Sequence, residues 1–220
     1  MPAQDADARH SDPSAGQAAH SPGETAPAPE LPELSAGRIR LRTPRPTDRD
    51  ALFRLFSDAD VTRYWSWAAW SELAQADDLI ASMAASRRSG DLLQWALTEA
   101  GDDALIGTIT LASIDRSNQR AELGYALTRS HWGRGLMGEA LGVLIDHAFG
   151  DGGLCRLEAD VDPRNAASIS SLERLGFVRE GYLRERWRIA GEVQDSVIYG
   201  LLKDDWAEVR STESAAEERR

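Results

Sequence analysis

The chain has a single cysteine, Cys155. One thiol closes no intrachain disulfide and builds no cysteine-rich zinc site. Its apolar runs all stop well short of the roughly 20 residues a membrane-spanning helix needs. The opening residues Met1-Pro2-Ala3-Gln4-Asp5 lack the basic start and apolar run of a secretory signal. Positive charge is also short. Lys plus Arg total 25 against 36 Asp plus Glu, a formal net charge of −11, which argues against gripping a nucleic-acid backbone. These absences point to a cytoplasmic protein with no membrane and no nucleic acid as a direct partner.

Aromatic residues are missing from positions 1–36, which hold six of the nine prolines and nine alanines. Such a segment buries too little apolar surface to offset its ordering entropy, so a disordered tail is expected there. All seven tryptophans come later. Residues 37–208 are expected to form one domain, followed by a charged tail at 209–220.

Periodicity supplies the elements. Residues 38–42 alternate polar and apolar, as a half-buried strand does. Thr47-Asp48-Arg49-Asp50 resembles a capping box opening a helix with Leu52, Phe53, Leu55 and Phe56 on one face. The loop 64–70 is rich in tryptophan, and Ser71 is expected to cap a second helix carrying Leu73, Leu79, Ile80 and Met83. Strands are predicted at 92–98, 104–111, 122–127 and 156–161, with a bulge or close approach at Gly124. Helices are predicted at 136–149 and 165–175, the latter closed by Gly176. A final hairpin of 177–188 and 193–202 turns at Ala190-Gly191. The order βααβββαβαββ describes an α/β fold with a mostly antiparallel sheet, flanked by helices. Its one parallel crossover lies near 122–161.

The most informative stretch is Trp132-Gly133-Arg134-Gly135-Leu136-Met137-Gly138-Glu139. Glycines between a strand and a helix leave main-chain N–H groups free to meet phosphate oxygens. Gly133, Gly135 and Gly138 also spell the dinucleotide fingerprint, with Asp160 near the place of a ribose-binding acid. The predicted strand ends five residues too early for that motif, however. The chain after Val161 also lacks the further βα units such a fold requires.

Four segments occur in order: 122–127, Trp132-Gly133-Arg134-Gly135, Asn165-Ala166-Ala167-Ser168, and Leu175-Gly176-Phe177. As a set they resemble the GNAT superfamily of acyl-CoA-dependent N-acetyltransferases, and within it the RimJ/RimL branch that acetylates ribosomal-protein N termini. The resemblance covers about residues 38–206. It implies a GNAT fold and acetyl-CoA as the acetyl-donor cosubstrate. The diphosphate would sit on the amides of Gly133, Arg134, Gly135, Met137 and Gly138, with Arg134 adding positive charge. Met137 departs from the signature, which has Gly or Ala there. Arg129 and Arg164 are candidates for the 3′-phosphate. The pantetheine arm would pair with the backbone of Tyr125, Ala126 and Leu127, between two splayed strands, and Asn165 would bond its sulfur end.

The same resemblance implies direct attack by an amine within a ternary complex. Glu122 is the expected general base, the N–H near Ala126 the group that polarises the thioester, and Ser168 the donor to the departing thiolate, with Tyr182 as an alternative donor. An α-amine with a pKa near 8 costs only about 1.4 kcal/mol to neutralise at pH 7, against about 4.6 for a lysine. The preferred acceptor is a protein N-terminal α-amine. Rival readings are a small-molecule amine acetyltransferase, for an amino sugar or polyamine, and a non-catalytic CoA-binding module. Trp65, Trp67 and Trp70 are candidates for the acceptor wall. His131 and His147 lack the neighbouring acids of a zinc site, so no metal is expected. The last hairpin and the sheet edge offer a second copy of the chain a place to pair, as in a homodimer.

Overall fold

The computed structural model describes residues 28–217. In chain order the elements are β1 (Leu34–Ala36), β2 (Ile39–Arg42), a 3₁₀ turn (Pro46–Asp48), α1 (Arg49–Ser57), α2 (Ala59–Thr62) and α3 (Ala74–Ser89). Then come β3 (Leu93–Glu99), β4 (Leu105–Asp115), β5 (Arg120–Leu127), a second 3₁₀ turn (Arg129–His131) and α4 (Leu136–Phe149). The chain continues through β6 (Arg156–Val161), α5 (Ala166–Arg174), β7 (Val178–Ile189), β8 (Glu192–Leu202) and α6 (Lys203–Glu217). The expected order is present, with β1 added before it, α2 within it and α6 after it.

One sheet runs β1-β2-β3-β4-β5-β6-β8-β7, and β5–β6 is its parallel pair. Helices cover both faces, which is why β3 is buried along five consecutive residues rather than at alternate ones. Trp95 and Leu97 face a cluster with Leu136, Leu141, Leu144 and Ile145 of α4. Ala96, between them, faces Leu52, Leu55 and Phe56 of α1 and Met83 of α3. Gly124 is not a bulge; it sits in regular register opposite Thr110, and the irregularity falls between Ala112 and Asp115.

The helical stretch opens one residue before Thr47, as the 3₁₀ turn Pro46–Asp48, and α1 itself follows from Arg49. Pro46 pre-sets the first helical φ, and Asp48 Oδ2 accepts the Arg45 N–H at 2.8 Å. The Asp48 carboxylate also receives both terminal nitrogens of Arg42, at 2.9 and 2.8 Å, with Arg42 only 2% exposed. This buried fork ties the start of α1 to β2.

Two expected boundaries move. The part of the expected tail at 1–27 lies outside the described residues. Residues 28–36, however, belong to the folded domain. Leu31 is buried, its N–H donates to Thr43 Oγ1 at 2.8 Å, and Trp95 Nε1 donates to the Pro32 carbonyl at 3.0 Å. Low apolar content did not prevent ordering because a neighbouring strand and an indole supply the partners. At the other end, α6 crosses the boundary expected at 208/209, and Trp206 is anchored by donating to Asp146 Oδ1 at 2.8 Å.

Candidate active site

The site begins where the sheet opens. β5 and β6 pair only from Arg120↔Arg156 to Glu122↔Glu158, yet β5 continues to Leu127 and β6 to Val161. Beyond Glu122 the two strands part. β4 holds the other edge of β5 through the register Gly107↔Leu127 to Ala112↔Glu122. Thr128 N–H donates to the Ile106 carbonyl at 2.8 Å. Alternation along an antiparallel ladder therefore turns the peptide groups of Ala126 toward β4 and those of Tyr125 and Leu127 toward the split. The Ala126 carbonyl confirms this direction by crowding Gly107, where an added Cβ would stand 2.4 Å from it. Ala126 is thus corrected as the polarising amide, because its N–H faces the wrong strand. The Leu127 carbonyl is already engaged, accepting Trp132 Nε1 at 2.7 Å.

The glycine turn follows the carboxyl end of β5, the same end at which the strands separate. Gly133 and Gly135 take φ of +71° and +78°, values that favour glycine. Among the described residues, no acceptor meets the N–H groups of residues 133–138; the first bonded amide is that of Glu139, which donates to the Gly135 carbonyl at 3.3 Å. A Cβ at Gly133 or Gly138 would meet nothing within 4 Å. The result is an open cradle of unpaired donors at the head of α4, a fit for a diphosphate. Met137 does not cover it, since its side chain packs against the main core. Arg134 forks onto Glu99 at 2.8 and 3.0 Å, so its charge is shared. Arg38, which sequence reasoning missed, donates to the Arg134 carbonyl at 2.9 Å and lies beside Gly135. Arg129 is paired with Asp58 and Asp60, and Arg164 with Asp162 and Glu192. Neither presents a free cation for the 3′-phosphate.

A cavity of about 190 Å³ lies in the split. Glu122, Tyr125, Asn165, Ser168 and Trp65 all line it, so β5, the start of α5 and the tryptophan loop converge on one place. The Glu122 carboxylate makes no hydrogen bond or close ion pair among the described residues. Burial, helped by the nearby Asp160 and Glu158 charges, pushes its pKa above the ordinary carboxylate value. Asn165 caps α5 by accepting the Ser168 N–H on Oδ1 at 3.2 Å. Ser168 Oγ lies 2.7 Å from the Tyr125 hydroxyl, whose pKa burial pushes up to about 12.

Trp67 and Trp70 do not reach the cavity. Both rings meet Phe56, at 5.9 and 4.8 Å; Trp70 packs on the satellite core there, whereas Trp67 stays 38% exposed. Trp65 does both, meeting Phe56 edge-on at 5.2 Å while forming part of the cavity wall. Tyr182 is also displaced from its expected role. It is 45% exposed, outside the cavity wall, and donates to Asp195. Asp160, Trp187 and Gln194 line the cavity without having been expected there. Only Asp160 left a sequence signal, since it shares a strand face with Glu158.

A split parallel pair with a donor cradle at its open end and a carboxylate inside it defines an acyl-CoA transferase site. The model of the acetyltransferase (GNAT) domain family matches residues 38–178, and the chain belongs to that family. Its acetyl donor is therefore acetyl-CoA, and its reaction N-acetyl transfer. It is similar to the uncharacterized N-acetyltransferase p20 of Bacillus licheniformis, 36% identical over 174 residues, which cover 79% of this chain and 98% of that protein. It is also similar to the ribosomal protein uS5-alanine N-acetyltransferase of Escherichia coli, 31% identical over 120 residues, 54% of this chain and 62% of that one. The fold matches that of Mycobacterium smegmatis RimJ, solved with CoA-disulfide, at a TM-score of 0.72, 23% identity, and coverage of 82% of this chain and 91% of that one.

Proposed function

We propose that the chain acetylates the α-amino group of a peptide or protein N terminus, in the manner of the RimJ/RimL branch. The observation that carries this reading is Glu122. It is a half-buried carboxylate without a close partner among the described residues, raised in pKa, inside the split beside Tyr125 and Ser168. A carboxylate of that kind is a modest base, and an α-amine needs no more than a modest base. The ribosomal-protein acetyltransferase among the relatives supports the same acceptor.

The roles follow from position. The amides of residues 133–138 hold the diphosphate of acetyl-CoA, and the split-facing peptide groups of Tyr125 and Leu127 hold its arm. Asp160, also in the cavity wall, is paired with Arg186 at 3.6 Å, which leaves Glu122 as the carboxylate open to the acceptor amine. Glu122 takes the amine proton, directly or through a water, as the nitrogen attacks the thioester carbon. The outward N–H of Tyr125 or Leu127 steadies the oxyanion. The C–S bond then breaks; Ser168, held by the Tyr125 hydroxyl at 2.7 Å, donates a hydrogen bond to the departing thiolate, and the proton taken by Glu122 passes through solvent to restore the thiol. Such chemistry suits the cytoplasm, where acetyl-CoA and new protein N termini meet.

The test is acetyl transfer from acetyl-CoA to short peptides with free α-amines, read by thiol release and mass spectrometry. Transfer to the α-amine of the peptides supports the reading. Transfer confined to polyamines or amino sugars replaces it with a small-molecule acetyltransferase. Binding of acetyl-CoA without transfer to any amine leaves a CoA-binding module.

A further inference from the structure

The cavity wall contains one polar side chain that neither the cofactor nor the proton transfers use. Gln194 stands in β8 opposite Trp187 of β7 and is only 7% exposed. It lines the same cavity as Glu122 and Asp160. Among the described residues its carboxamide makes no hydrogen bond, and its polar atoms are not sealed from solvent but open onto the cavity. In the cavity those atoms are free to exchange water for the polar groups of a ligand.

Its chemistry narrows that partner. A carboxamide offers an acceptor oxygen and donor N–H groups in one plane. A trans peptide group points its carbonyl oxygen and its N–H to opposite sides, and the carboxamide can meet either one. Of the neighbouring carboxylates, Asp160 is paired with Arg186 at 3.6 Å, whereas Glu122 has no close counter-charge among the described residues and is open to an ammonium. An ammonium with a peptide group one carbon away is the N-terminal residue of a peptide. An alkylamine satisfies that carboxylate and leaves the carboxamide unmet.

We infer that Gln194 is a specificity-determining residue that hydrogen-bonds the first peptide group of the acceptor, selecting peptide α-amines over simple amines. This rests on the reading of the cavity as the acceptor site. The indole of Trp187, opposite Gln194 in register, flanks the same peptide group.

The experiment compares wild type with Gln194→Met, a change that keeps volume and removes both polar atoms. Kinetics at saturating acetyl-CoA are measured with tetra-alanine and with n-butylamine, at a pH where both amines are partly neutral. The expected result is a KM for tetra-alanine raised roughly tenfold, with kcat/KM for n-butylamine changed less than about twofold and melting temperature held. A parallel loss for both amines, or no loss for either, overturns the assignment. Gln194→Ala provides a second variant should the methionine form fail to fold, and the same split is expected of it. If wild type acetylates n-butylamine as efficiently as tetra-alanine, peptide selection fails while amine acetylation stands. If wild type acetylates neither, the functional reading falls and the assignment with it.

Discussion

The Tyr125 hydroxyl and Ser168 Oγ, 2.7 Å apart, join β5 to α5 across the split. With its pKa at about 12, Tyr125 stays protonated at any working pH. It can donate to the serine oxygen, leaving the serine proton to meet the thiolate. Ser168→Ala should lower kcat roughly tenfold, less than the roughly 10²–10⁴ of full general acid catalysis, because a thiolate is a fair leaving group. Tyr125→Phe should cost less. Steady-state kinetics check both, and an unchanged kcat in Ser168→Ala removes the serine from the reaction.

Glu122→Gln should reduce kcat by roughly 10²–10⁴ with little change in acetyl-CoA affinity. In wild type, activity should fall as pH drops through the Glu122 pKa, which lies above the usual carboxylate value, and that acid limb should vanish in the variant. The stability sign is the opposite of the catalytic one. A carboxyl group whose folded pKa is raised contributes most below its unfolded pKa and loses that contribution as pH rises through the folded value. Removing the charge should therefore raise the melting temperature at neutral pH. A pH–rate profile and thermal melts of both proteins decide the matter.

Gly138→Val should weaken acetyl-CoA binding at least about tenfold, or 1.4 kcal/mol, while the fold holds, since the added atoms enter open space above the cradle. Gly135→Val should weaken binding too and also lower stability, because its φ of +78° strains a branched residue. Calorimetric titration with acetyl-CoA measures the first effect and thermal melting the second. Normal affinity in Gly138→Val would move the diphosphate elsewhere.

Asp48→Asn leaves the Arg42 guanidinium buried without its main counter-charge, although Asp103 still reaches it at 2.8 Å. Breaking a buried pair in this way costs roughly 3–5 kcal/mol. Urea denaturation should show it as a lower midpoint with an unchanged slope.

Removing residues 1–36 should destabilise the domain, whereas a cut after residue 27 keeps Leu31, the Pro32 carbonyl and β1 in place. Differential scanning calorimetry of the two truncations should show the lower melting temperature in the longer one. Equal values would return residues 28–36 to the tail.

What was legible in the sequence follows from how local each signal is. The bounds of α4 match the expectation at both ends, because glycines frame a helix of strong apolar character. β6 matches too, from simple alternation. β1 was not legible, since three residues in a Pro- and Ala-rich stretch carry no period of their own and depend on β2. The separation of β5 from β6 leaves no mark in either strand, because pairing is decided by neighbours. The tryptophans announced burial but not direction, so only Trp65 of the three reached the cavity. Gln194 looks like any polar residue in an edge hairpin until its surroundings are seen.

Only three residue pairs stitch the five leading strands to the three that follow. A pantetheine chain laid in the gap would lengthen that seam, so the loaded enzyme should exchange its amide protons with solvent more slowly on both flanking strands. Departure of spent coenzyme would then return the seam to its three pairs, and the faster exchange would come back with it.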